Sequence, residues 1–128
     1  MESSGMVIDT SVFIEFLRAK NKKATTLFGI ADDIPLYLSA VTIYELYMGA
    51  PTPEKEADIR ILTEDIPVLP FDLVVAKKSS QIYHHLRKTN KIIEFRDIFI
   101  AASALVYRLP LKTINRKHFE RIPELTLV

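Results

Sequence analysis

The chain has 128 residues, 48% of them hydrophobic, with 17 lysines and arginines against 16 acids and no cysteine. That length suits one domain around one core and is short for two. No apolar stretch approaches the roughly 20 residues of a membrane helix, the first residues lack the basic and apolar regions of a secretory signal, and the missing cysteine rules out disulfides, thiolate metal sites and a cysteine nucleophile, so a cytoplasmic protein is expected.

Residues 1–128 read as a single domain, with residues 1–5 expected to be a disordered N-terminal extension of it. Residues 6–9 are a short buried strand that runs straight into Thr10, Ser11 and a helix with Val12, Phe13, Phe16 and Leu17 at helical spacing. A second helix is expected over residues 22–30, then a strand over 36–39 that feeds a helix over 40–48, stopped by Gly49 and Pro51. Pro53 suits the first position of a helix over 53–62, and residues 66–69 form the next strand, closed by Pro70. Residues 73–88 make a long amphipathic helix, and 97–107 a helix apolar nearly all round, which places it inside the domain with Asp97 at its start. A strand over 111–113, a helical turn over 116–121 and an edge strand over 125–128 complete the chain.

Strands alternating with helices predict an α/β fold, a three-layer sandwich with a central, mostly parallel sheet flanked by helices. In such sheets ligands bind at the carboxyl ends of the strands where the strand order switches. Asp9, the segment 39–45 and Asn115 all follow strands and can share that edge.

The near-neutral total conceals two unlike halves. Residues 1–76 hold 12 acids and 6 bases, whereas residues 77–128 hold 4 acids and 11 bases. The basic half can meet a polyanion while acids of the other half contribute to a metal site; two solvated surfaces of opposite sign are the equal alternative.

Asp9, Glu45 and Asp97 are the candidate chemical groups. Three carboxylates at one edge repel one another unless a cation lies among them, and hard oxygen ligands select Mg²⁺ or Mn²⁺. Such an ion acidifies a bound water and neutralises charge on a phosphodiester under attack. Each acid also has a purely structural reading. Asp9 can cap the helix that begins at Thr10, Glu45 stands at capping-box spacing from Thr42, and Asp97 suits the positive end of its own helix.

Three segments in order, Val7-Ile8-Asp9-Thr10-Ser11, Thr42-Ile43-Tyr44-Glu45-Leu46 with Gly49, and Arg96-Asp97-Ile98-Phe99-Ile100-Ala101-Ala102, resemble the PIN-domain pattern, and Thr113-Ile114-Asn115-Arg116-Lys117-His118-Phe119 is similar to its C-terminal signature. The likeness spans the chain and is closest to the VapC-type toxins of type II toxin–antitoxin pairs. It implies a Mg²⁺- or Mn²⁺-dependent endoribonuclease in which Asp9, Glu45 and Asp97 bind metal, directly or through water, with hydroxyls of Ser11 and Thr113 close by. It also implies an antitoxin partner, with a basic side chain reaching the acidic pocket, and a homodimer. Where many PIN domains carry a fourth acid this chain has Asn115, which offers an amide oxygen but no charge. Arg96, Arg116 and Lys117 flank the proposed site and are the candidates for holding the RNA backbone. His118 reads as a packing or surface residue, and His84 and His85 diverge on their helix and do not chelate.

Other readings fare less well. A receiver-type phosphoacceptor would use Asp72 but needs paired acids at the first strand, where Thr10 and Ser11 follow Asp9; a haloacid-dehalogenase-like phosphatase needs an acid where Ser11 stands. Gly5, Gly29 and Gly49 form no phosphate cradle. The non-enzymatic alternative is a PIN-like RNA- or protein-binding module whose acids are helix caps.

Overall fold

The structure, a computed structural model, describes residues 5–128. Of the extension expected over residues 1–5, residues 1–4 lie outside the described residues, and Gly5 is buried at the entry to the first strand. A Cβ there would stand 2.8 Å from the Pro35 carbonyl and 2.7 Å from the Tyr37 ring, an approach only glycine permits.

The elements follow in the order β1 (Met6–Ile8), α1 (Thr10–Arg18), β2 (Leu36–Ser39), α2 (Ala40–Met48), α3 (Pro53–Thr63), β3 (Val68–Leu69), α4 (Leu73–Lys88), α5 (Phe95–Val106), β4 (Leu111–Lys112) and α6 (Arg116–Phe119). The strands form one sheet in the order β3-β2-β1-β4. Every pair is parallel, with Val7 opposite both Tyr37 and Leu111. Successive side chains on a strand point to opposite faces, so Ile8 packs with Val12, Phe13, Leu46 and Ile59 of α1, α2 and α3. Val7 joins Leu86, Ile98, Ile100 and Phe119 of α4, α5 and α6 on the other face. The expected three-layer α/β sandwich is therefore the observed one.

The chain leaves β1 for β2 and β3 on one side and returns to β4 on the other. The carboxyl ends of β1 and β4 thus flank the switch point where such sheets bind ligands.

Local chemistry explains the helix starts. The Ser39 hydroxyl accepts from the Thr42 amide at 3.1 Å, Thr52 caps α3 with Pro53 at its first position, and Asp72 accepts from the Val75 amide at 3.1 Å. At the end of α1 the Lys22 ammonium donates to the carbonyls of Phe16, Leu17 and Ala19, at 2.7, 3.3 and 3.2 Å, satisfying groups the helix leaves open.

The structure departs from the sequence expectations in several places. Residues 22–30 form one 3₁₀ turn, Lys22–Ala24, followed by turns. The Thr25 hydroxyl takes the Lys22 carbonyl at 2.6 Å and the Thr26 amide turns to Glu15 Oε1 at 2.8 Å, so side chains replace the helical ladder. β3 starts at Val68 rather than residue 66 because Pro67 has no N–H to pair; its carbonyl still accepts from Leu38 at 3.2 Å. The expected last strand reduces to one parallel bridge, Leu111 to Leu127. α5 begins at Phe95, two residues early, with Glu94 at its cap position, so Asp97 is the third residue of the helix and not its opening one.

Candidate active site

Asp9 ends β1 at the switch point and is 2% exposed. It occupies the cap position of α1 yet makes no side-chain capping bond. Its Oδ2 instead accepts from Ser11 Oγ at 2.6 Å and from Thr113 Oγ1 at 2.8 Å. A carboxyl group that accepts hydroxyl bonds from the first turn of α1 and from the segment after β4 is held in place between two elements rather than spent on capping its own helix. The two hydroxyls stitch β4 to β1. The Ile114 amide donates to Ser11 Oγ at 3.2 Å, and the Asn115 amide donates to Thr113 Oγ1 at 3.0 Å.

Glu45 is half-buried in the second turn of α2, too far along for the capping box that its spacing from Thr42 suggested. Its Oε1 lies 2.7 Å from Thr10 Oγ1, which lies 2.9 Å from the buried Thr42 Oγ1. Thr10 has one hydroxyl proton, and the carboxylate can only accept, so the proton goes to Glu45 and Thr42 supplies the second bond. On its other oxygen, Oε2, Glu45 meets the Arg96 guanidinium at 3.1 Å; the same guanidinium reaches Glu94 at 3.7 Å.

Asp97 projects from the first turn of α5, and its Oδ2 lies 3.3 Å from His118 Nδ1 of α6. Burial and then the charge of Asp9 push its carboxyl above its ordinary value, with a smaller push from Glu45; the hydrogen bond and charge of His118 pull it down. Asp97 thus senses both other acids, as it must if the three share one crevice.

Asp9, Glu45, Asp97, Ser11 and Thr113 are therefore neighbours, and Arg96 stands among them. Asn115 follows Thr113 directly, but its side chain makes no capping bond to α6 and, among the described residues, no hydrogen bond to the acids. Arg116 donates to the Val128 carbonyl at 3.3 Å, and Lys117 is exposed beside it. Sequence reasoning missed three groups: Thr10 and Thr42, which hold Glu45, and His118, which holds Asp97. Thr10 stands inside the Asp9-Thr10-Ser11 segment, whereas nothing in the spacing brings His118 to a residue 21 positions earlier. Asp72, the acid a phosphoacceptor would need, is the cap of α4.

Among the described residues no three acidic or histidine side chains are drawn together tightly enough to grip one ion as they stand, for Glu45 is turned to Arg96 and Asp97 to His118. The donor set nonetheless suits a hard cation: three carboxylates, two hydroxyls and no sulfur. A groove of about 370 Å³ between α1, α2 and α3 reaches Glu45. Another of about 780 Å³, lined by Phe16, Phe28 and Ile66, contains none of the three acids.

The PIN domain profile matches residues 6–125. Ribonuclease VapC1 of Methanocaldococcus jannaschii is 32% identical over 98% of this chain and 87% of its own length. Ribonuclease VapC of Rickettsia bellii is 30% identical over 97% and 95%. Among solved structures, a chain of VapBC-1 from nontypeable Haemophilus influenzae superposes with a TM-score of 0.81 and 26% identity, over 96% of each chain. With its whole length alike to these proteins and its acids gathered at the switch point, the chain belongs to the VapC group of the PIN domain family.

Proposed function

We propose that the protein is an endoribonuclease that depends on Mg²⁺ or Mn²⁺ and serves as the toxin of a toxin–antitoxin pair in the cytoplasm. The meeting of Asp9, Glu45 and Asp97 from three separate elements at one crevice supports this reading above all, and relatives named as ribonucleases agree with it. The three carboxylates would hold the ion, directly or through water, with Asn115 lending a neutral oxygen. When bound, the ion supplies an acidified water and a positive charge against the phosphoryl oxygens.

The chain's own residues do the rest. Ser11 and Thr113 fix the Asp9 carboxylate, Thr10 fixes Glu45, and His118 fixes Asp97, which restricts the rotamer of each acid. Arg96 neutralises Glu45 in the free protein and is the cation best placed to turn to a backbone phosphate as RNA enters. Arg116 and Lys117 would carry the strand beyond it. An antitoxin with a basic side chain would find the same acids, consistent with neighbours solved as VapBC assemblies, and pairing with a second copy is expected from the family likeness.

The test is cleavage of labelled RNA by purified protein, expected with Mn²⁺ or Mg²⁺ and absent in EDTA; equal cleavage in EDTA would remove the metal mechanism. The positioning role of His118 has its own signature. An Asn side chain can present its amide nitrogen near the place of Nδ1, so His118→Asn is expected to retain Mn²⁺ affinity, while His118→Ala loses about tenfold. Calorimetric titration with Mn²⁺ reads the difference, and equal affinities for Asn and Ala variants would assign His118 to packing alone.

A further inference from the structure

From Leu73 to Ile93 the chain carries Lys77, Lys78, Arg87, Lys88 and Lys91 and not one acid. α4 and α5 run antiparallel. Leu73, Lys77 and Val106 line one groove at one end, while at the other the Tyr83 ring lies 6.3 Å from Phe95, two residues before Asp97. The cationic end of α4 therefore lies at the same end of the domain as the candidate site. Arg87 is hydrogen-bonded to the Tyr83 hydroxyl at 3.0 Å, and Arg121, beyond α6, reaches over to the Ile92 carbonyl at 3.1 Å. Arg87, Lys88, Lys91 and Arg121 are exposed, and among the described residues none is paired with a carboxylate. Phe95, beside Tyr83 at this end of the hairpin, is 62% exposed.

A helix C-terminus favours cations, which covers Arg87 and Lys88. It does not explain Lys91 and Arg121, which lie on other segments, nor an open aromatic ring at the same end of the hairpin as these cations, none of which meets a carboxylate among the described residues. Aromatic rings interleaved with basic side chains are the features that bind single-stranded nucleic acid, where bases stack on the ring and phosphates meet the cations.

We propose that this end of the α4–α5 hairpin is a platform for an unpaired RNA strand, with Phe95 stacking a base beside the scissile bond and Arg87, Lys88, Lys91 and Arg121 holding the flanking phosphates. The platform rests on the ribonuclease reading and adds to it the surface that grips the strand on one side of the cut. A duplex cannot use it fully, because its bases are already stacked on each other.

The probe is a fluorescein-labelled, unstructured 20-nucleotide RNA, compared with a blunt RNA duplex of equal length, followed by anisotropy in EDTA. Phe95→Ala is expected to weaken binding of the single strand by about tenfold or more while leaving the duplex little changed. The double variant Lys88→Gln, Lys91→Gln should flatten the slope of log affinity against log salt by about 1.4, roughly 0.7 for each phosphate no longer neutralised. A control that removes the same charge on the other side of the sheet, Lys20→Gln with Lys23→Gln, should bind as the wild type does. The platform is overturned if the wild type does not bind the strand, if Phe95→Ala binds it normally, if the control weakens binding as much as the platform variants, or if those variants alter only the oligomeric state. Wild-type protein that binds through the platform yet cuts nothing in Mn²⁺ would remove the ribonuclease reading and leave the platform. Cleavage with unaltered platform variants would do the reverse.

Discussion

Asp97→Asn is expected to abolish RNA cleavage, by a factor on the order of 10³, and at the same time to raise the melting temperature of the metal-free protein. Both effects come from one carboxyl group. In the folded chain, burial and the charges of Asp9 and Glu45 hold its proton affinity above the ordinary value. The folded state then binds more protons than the unfolded state between those two values, so stability falls as pH rises through that window and stays reduced above it. An amide never ionises and avoids that loss, while its oxygen still accepts from His118. Thermal melts in EDTA at several pH values should show the wild type losing stability as pH rises above the ordinary carboxylate range and the variant losing less. Mn²⁺ should then raise the melting temperature of the wild type and leave the variant unmoved. A variant less stable than the wild type at neutral pH would mean that the contact with His118 outweighs the repulsion among the acids. Residues that serve chemistry commonly cost stability in this way.

Phe119→Ala should destabilise the protein by about 3–5 kcal/mol, a large part of the roughly 5–15 kcal/mol that holds a domain of this size together. Phe119 is wholly buried, in one cluster with Ile98, Ile100 and Leu111. It lies directly after His118, so the ring that anchors α6 also sets the register of the group that holds Asp97. Urea unfolding should show a lower midpoint with an unchanged slope, the sign of weakened packing rather than an altered unfolded state. Phe119→Leu, which keeps more of the volume, should lose less stability and more of the activity should survive. If Phe119→Ala unfolds at the wild-type midpoint, α6 is not part of the core.

Much of this arrangement is legible in residue order. Strand and helix periods, Pro and Gly at element ends and Pro53 at a first helical position depend on neighbours a few positions apart, and they led to the observed layers. Asp9 and the segment carrying Glu45 could be placed at one edge in advance because both come after strands, and strand ends converge in an open α/β sheet; Asp97 was expected at the head of a buried helix. What escaped was decided across space. Residues 22–30 have the apolar spacing of a helix, yet Glu15 and Lys22, bonding across the α1 end, pull the backbone into turns. Thr10 looks like a first helical residue and Thr42 like a capping partner until Glu45 is placed beside them. His118 depends on the packing of α6 against α5, and the pairing of Arg96 with Glu45 joins two helices that only the fold brings together. The expectation that Asp97 opens its helix failed by two residues, because α5 takes in Phe95 and Arg96 ahead of the apolar run, and a helix boundary can lie a residue or two from where the apolar period starts.

The convergence of the acids is tested most directly by Mn²⁺ binding, followed by electron paramagnetic resonance, in metal-free wild type and in Asp9→Asn, Glu45→Gln and Asp97→Asn. One shared site predicts saturable binding in the wild type and weaker binding by about tenfold or more in every single variant, since each removes an anionic oxygen ligand. Wild-type affinity in any one of the three would contradict it.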